Sequence, residues 1–147
     1  MMEKHSDPRL QAGLDAYLDF FQRLDQPWPP LASLVTEQVY FADPFNQVQG
    51  RQALQRVLAH FVANVQQPRF TILNQAWSGN RCLLLWRFQG QAGRLGGWDF
   101  QGTSVLDFAE DGRVSRHQDF WDAGEPFYWR LPLLGWLIRR VLARLAP

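Results

Sequence analysis

The sequence predicts an α+β fold, with helices early, a largely antiparallel sheet late and the helices packed on one sheet face. Three observations carry this. Apolar residues recur at three- and four-residue spacing through residues 8–24 and 50–65, the period of a helix with one buried face. After Pro68 the texture changes to β-rich runs separated by short Gly-, Asn- and Asp-containing turns, which favours a meander of sequential strands. The end of the chain, LPLLGWLIRRVLARLAP, turns helical again, with basic residues only.

The first helix places Leu10, Leu14, Tyr17, Leu18, Phe21 and Leu24 on one stripe, with Asp7 as its cap and Pro8 in its first turn. QPWPP stops it, because prolines cannot continue the backbone ladder. A short helix or turn near Leu31–Val35 leads into QVYFADPF, a brief strand ended by the Asp43-Pro44 turn. The second helix, GRQALQRVLAHFVANV, repeats Leu54, Val57, Leu58, Phe61 and Val62. The strands are then RFTILNQAW, RCLLLWRFQG, WDFQGTSVLDF and VSRHQDFW, joined by Gly79-Asn80, the loop QAGRLGG and the turn AEDGR. In the tail, Leu134, Leu137, Ile138, Val141, Leu142 and Leu145 form one stripe, with Arg139, Arg140 and Arg144 beside or opposite it. We therefore divide the chain into a main domain, 1–130, and a basic amphipathic helix, 131–147, on or flanking it.

At 147 residues the main body is one domain with a substantial core. A formal charge of +1 carries no general nucleic-acid footprint, so no nucleic-acid partner is expected. The single Cys82 excludes an internal disulfide, and its apolar setting CLLLW suggests a buried, inert thiol. The charged start is unlike a signal peptide, so a cytoplasmic location is expected. Seven Trp and eleven Phe exceed what a minimal core needs, and aromatic side chains also line apolar pockets.

The stretch VSRHQDFWD puts His117, Asp119 and Trp121 on one face of a strand, where apolar residues would be ordinary. An inward carboxylate in an apolar pocket is disfavoured in its charged form and suits acid–base work, with the imidazole two residues away within bonding reach. Asp43 is a second candidate base, although Asp-Pro is also a common turn. No metal site is expected, since His5 and His60 are remote from this pair and no thiol pair exists.

YFADPFNQVQGRQALQRVLAHF early, with VLDFAEDGRVSRHQDFWD late, resembles the nuclear transport factor 2-like superfamily, which includes SnoaL-like proteins, ketosteroid isomerases and limonene epoxide hydrolases. The resemblance spans roughly Leu10 to Trp129 and implies a cone: a curved antiparallel or mixed sheet wrapped around the N-terminal helices, enclosing a deep apolar cavity. Asp43 falls where the isomerases carry their base, Tyr17 near their oxyanion-hole tyrosine, and Ser104 near the position of their protonated acid. Asp119 resembles one carboxylate of the epoxide hydrolases and Tyr40 their water-holding tyrosine, but LLLWRFQ lacks the Asp that would complete their Asp–Arg–Asp set with Arg87.

The resemblance implies an apolar small-molecule ligand and a cofactor-independent isomerase, cyclase or hydratase. Asp119 with His117 would form the acid–base pair, with Asp43 as second base. Tyr17, Tyr40 and Ser104 would orient the ligand, and Trp86, Trp98, Phe100 and Trp121 would line the pocket. The alternative is a noncatalytic binding or adaptor protein using the same cavity. A homodimer is implied, and the basic helix offers contact with a membrane or partner.

Overall fold

The structure, a computed structural model, describes residues 2–145. Helix α1 (Pro8–Gln22) starts where the Asp7 side chain accepts the Arg9 N–H and Pro8 occupies the first turn. It buries Leu10, Leu14, Tyr17 and Phe20, and stops two residues before the expected Leu24. A 3₁₀ turn (Leu31–Ser33) leads to strand β1 (Val35–Ala42), followed by a short strand β2 (Gln47–Gln49) that the polar sequence NQVQG did not announce. Helix α2 (Arg51–Asn64) follows, burying Leu54 and Leu58. Four strands complete the sheet: β3 (Gln66–Ser78), β4 (Arg81–Gln91), β5 (Gly97–Phe108) and β6 (Val114–Phe120). Helix α3 (Leu134–Leu145) closes the described chain.

The strands form one open sheet in the order β2-β1-β6-β5-β4-β3. From β3 to β6 it is the expected antiparallel meander, but β1 lies parallel to β6, so the sheet is mixed and two of its six strands come from residues before Pro68. Pro68 itself lies inside β3, where an edge strand and a local register shift between Gln66 and Arg69 tolerate its missing N–H. Along β4, Cys82, Leu84, Trp86 and Phe88 point inward while Leu83 and Leu85 point out, the period-two alternation of a sheet covered on one face. The α1 stripe packs on this inner face. Gly13 makes that possible: a Cβ there would overlap the backbone of Gly112 in the β5–β6 turn, which itself needs glycine at φ +88°.

One irregularity aims the site. Phe108 pairs with Val114 and Asp107 with Arg116, so Ser115 is an extra, unpaired residue in β6. Such a bulge shifts the alternation by one. Val114 and His117, three residues apart, are consequently both buried on the inner face.

Candidate functional site

His117 is only 4% exposed, and both its ring nitrogens are engaged. Nδ1 meets the Tyr17 hydroxyl from α1 at 2.8 Å, and Nε2 meets Asp119 Oδ1 at 2.7 Å. Burial, with a smaller push from the Asp119 charge, raises the Tyr17 pKa well above that of an ordinary phenol. The phenol therefore stays protonated, and which partner donates in its bond to Nδ1 is set by the tautomer of the ring. Ser104 on β5 donates to the same Oδ1 at 2.5 Å, and its oxygen accepts the Trp86 indole N–H from β4 at 2.8 Å. A continuous relay thus converges on one carboxylate oxygen from both sides, Tyr17–His117 and Trp86–Ser104. Among the described residues no protein donor is assigned to Asp119 Oδ2.

Trp86 reaches Ser104 because position 102 is glycine. A Cβ on Gly102, its cross-strand partner, would lie inside the Trp86 ring.

Asp43 is built differently, from its own turn. Its Oδ1 accepts the backbone N–H of Phe45 (2.8 Å) and Asn46 (2.7 Å), and the Asn46 side-chain amide donates to both carboxylate oxygens. Burial nevertheless outweighs these bonds and raises the Asp43 pKa, with the Asp119 charge adding to the rise.

Both carboxylates line a recess of about 780 Å³ between α2 and the inner sheet face. Its walls are aromatic, including Phe70, Trp86, Phe88, Trp98, Phe100 and Trp121, with Phe100 and Trp121 stacked at 4.6 Å between ring centres. Trp98 carries a buried indole N–H with no acceptor among the described residues. Arg56, His60 and Asn64, four residues apart along α2, line the recess too, as does Arg94 on the β4–β5 loop. Among the described residues no group of three or more His, Cys, Asp or Glu side chains comes together to hold a metal ion.

Of the residues expected to form the site, Asp119, Asp43, Trp86, Trp98, Phe100 and Trp121 line this recess. Tyr17, Ser104 and His117 sit behind Asp119 as its support, so they reach the recess through that carboxylate. Tyr40 is a correction. It alternates with the buried Phe41 on β1, so it occupies the outer face of the sheet, where the Arg116 guanidinium stacks over its ring at 4.5 Å. Arg87 is also on the outer face, in an exposed ion pair with Asp99. Cys82 is fully buried and its thiol is pushed up to about 12, which makes it inert.

Sequence reasoning missed Asn46, Gly102, Arg56 and Arg94. The D-x-x-N spacing after Tyr40-Phe41-Ala42 was a readable turn signal for Asn46. The role of Gly102 depends on its pairing with Trp86, which only the assembled sheet supplies.

The comparisons agree with this architecture. The family model described as a SnoaL-like domain matches residues 14–117. No curated protein matches the chain. An NTF2-like protein of unknown function from Burkholderia pseudomallei K96243 superposes with a TM-score of 0.68 at 17% identity, covering 80% of this chain and 93% of that one. A SnoaL-like polyketide cyclase candidate from Jannaschia sp. CCS1 gives 0.65 at 13% identity, covering 80% and 90%. TerC, co-crystallized with polyporic acid, gives 0.62 at 16% identity, covering 80% and 93%. At these identities the structural likeness is one of fold. With a mixed six-stranded sheet around α1 and α2, and a SnoaL-like match from Leu14 to His117, the chain has the fold of the NTF2-like structures and belongs to the SnoaL-like family.

Proposed function

We propose that the recess encloses an apolar, largely planar small molecule with a carbonyl group, and that Asp119 moves a proton on it without a cofactor, in an isomerase, cyclase or hydratase reaction. The observation that carries this is the asymmetry of Asp119: Oδ1 is engaged by His117 and Ser104, while Oδ2 has no protein donor assigned and the side chain lines an aromatic recess. An orienting hydrogen bond on one oxygen leaves the other for proton transfer. Asp43, whose pKa is raised, is the complementary acid, since two carboxyls in unlike settings divide the acid and base roles. The unpaired Trp98 N–H supplies a donor for a ligand oxygen. A volume of about 780 Å³ is in the range of small-molecule sites, and the Arg56 and Arg94 side chains favour an acidic group at the ligand's outer end. TerC bound to polyporic acid and the Jannaschia cyclase candidate support the choice of ligand and reaction class.

His117 acts through Asp119 in this reading, as a positioning residue, because neither ring nitrogen is left for a ligand. We also propose a cytoplasmic homodimer joined through the outer sheet face, where Leu73, Leu83, Leu85 and Phe120 stand exposed.

The experiment is native mass spectrometry of the purified protein, organic extraction of the ligand, and incubation of the complex in D2O. Deuterium entering a carbon position of the ligand faster than in solvent, and lost in Asp119→Asn, is the expected result. A ligand held without such exchange would favour the noncatalytic binder that uses the same recess. Failure to hold any apolar compound would overturn both readings.

A further inference from the structure

We propose that α3 docks this protein on an anionic lipid surface, with the recess mouth held beside the bilayer. The helix is unpartnered along most of its length. Leu137 and Val141 are exposed, Leu145 is 77% exposed and Leu133, just ahead of the helix, is 85% exposed. The contacts that fasten it lie near its start: Gly135 packs so closely on the Trp129 carbonyl that a Cβ would not fit, and Arg139 donates to that same oxygen at 3.1 Å. The outward stripe is Leu134, Leu137, Val141 and Leu145, bounded on one side by Arg144.

Charge selects the occupant. No Asp or Glu follows Glu125, whereas Arg130, Arg139, Arg140 and Arg144 do. A second copy placed symmetrically on this stripe would set arginines against arginines without a carboxylate between them. Anionic headgroups neutralise the same side chains while acyl chains cover the leucines. Arg140 stacks on Trp136 at 5.4 Å on the polar face of the helix, away from the leucine stripe. A helix of 12 residues is too short to cross, and among the described residues no helix is long and apolar enough to do so, so α3 lies in the interface plane.

The segment before α3 fixes where the body hangs. Arg130 donates to the carbonyls of Leu95 and Gly97, both at 2.7 Å, which fastens this segment to the β4–β5 loop. Leu95, Arg94 and Phe127 all line the recess, so the anchor and the mouth share one lip. The docking itself needs nothing of the proposed chemistry.

The test is flotation of the full chain with vesicles of phosphatidylcholine alone or mixed with phosphatidylglycerol, at low and high salt. Binding to the mixed vesicles at low salt, weakened by high salt, is expected. Leu137→Glu with Val141→Glu should lower the bound fraction at least tenfold, and Arg139→Gln with Arg140→Gln and Arg144→Gln should bring it to the neutral-vesicle level. Hydrogen exchange of α3 amides should slow only when vesicles are present. No binding to mixed vesicles, equal binding to neutral ones, or glutamate variants that float like the parent would each overturn the proposal. So would α3 amides that slow with protein concentration in the absence of lipid, because a second copy would then cover the stripe. All the substituted side chains are exposed, and because Arg139 also bonds the Trp129 carbonyl, a melting temperature equal to the parent's is required to show that the body is intact.

Discussion

Asp119 and Asp43 line the same recess, yet one is held by the whole fold and the other by its own turn. Asp119 is supported by α1, β4, β5 and its own strand, through Tyr17, Trp86, Ser104 and His117. Asp43 is held within three residues of itself, by Phe45 and Asn46. A locally held carboxyl keeps its orientation wherever its turn survives. A carboxyl held by distant segments is oriented only when the domain is fully assembled, and its geometry is as exact as the sheet that presents it. The proposed roles follow their settings: Asp119, with Oδ2 unengaged, is the base, and Asp43, with its raised pKa, the acid.

The sharpest way to break the comparison is to change each carboxylate in turn. Asp119→Asn should reduce ligand proton exchange by about 10²–10⁴-fold, the usual worth of a positioned acid or base, with little change in melting temperature because the amide oxygen still accepts from His117 and Ser104. An equal loss in Asp43→Asn with none in Asp119→Asn would reverse the assignment.

Gly102→Ala should come next in size. The new methyl drives Trp86 from its place, so stability should drop by about 1–3 kcal/mol and Ser104 should lose its indole partner. Thermal denaturation, with the tryptophan fluorescence of the folded state, reads both. An unchanged melting temperature and spectrum would show that Trp86 does not depend on this glycine.

Tyr17→Phe removes the hydroxyl bonded to His117 Nδ1 and leaves a buried ring nitrogen unpaired, at a cost of about 1–3 kcal/mol. Its effect on exchange should be smaller than that of Asp119→Asn, because Tyr17 acts two bonds back along the relay. The expected kinetic signature is a fall in kcat with KM little changed.

The smallest effect is a pH dependence. The folded-state pKa of Asp43 is raised, chiefly by burial, above the unfolded value near 3.8. A raised pKa favours the protonated folded form, so its stabilising contribution is present below the unfolded value and is lost as pH rises through the folded one. The melting temperature of the parent relative to Asp43→Asn should therefore fall as pH rises through that window and then level off. A difference that stays flat across the window would mean that Asp43 is not desolvated.

Much of this comparison was legible in the sequence, and its limits have physical causes. His117 and Asp119 were readable because polar residues at period two stand out in a strand that otherwise alternates normally. Tyr17 lay on the periodic stripe of α1. The parallel pairing of β1 with β6 was invisible, since nothing local distinguishes a strand that pairs across the long stretch of chain from Asp43 to Arg113 from one that pairs with its neighbour. Tyr40 was misplaced because the resemblance supplied a role without fixing the face. The alternation of Val39, Tyr40 and Phe41 fixes it in the structure. The Trp86–Ser104 bond required the cross-strand register, and the Ser115 bulge required knowing where that register slips.

The Tyr17–His117 bond joins residues 100 positions apart, and β6 is the central strand between β1 and β5. During synthesis, α1, β1 and α2 leave the ribosome long before β6, the strand that must pair with both β1 and β5. They wait with their inner faces uncovered. Contacts of such long sequence separation are slow to form, so this chain should collapse early and acquire its relay last. A partly folded molecule would then possess the Asp43 turn without an oriented Asp119, and proton exchange should appear only with the slowest refolding phase.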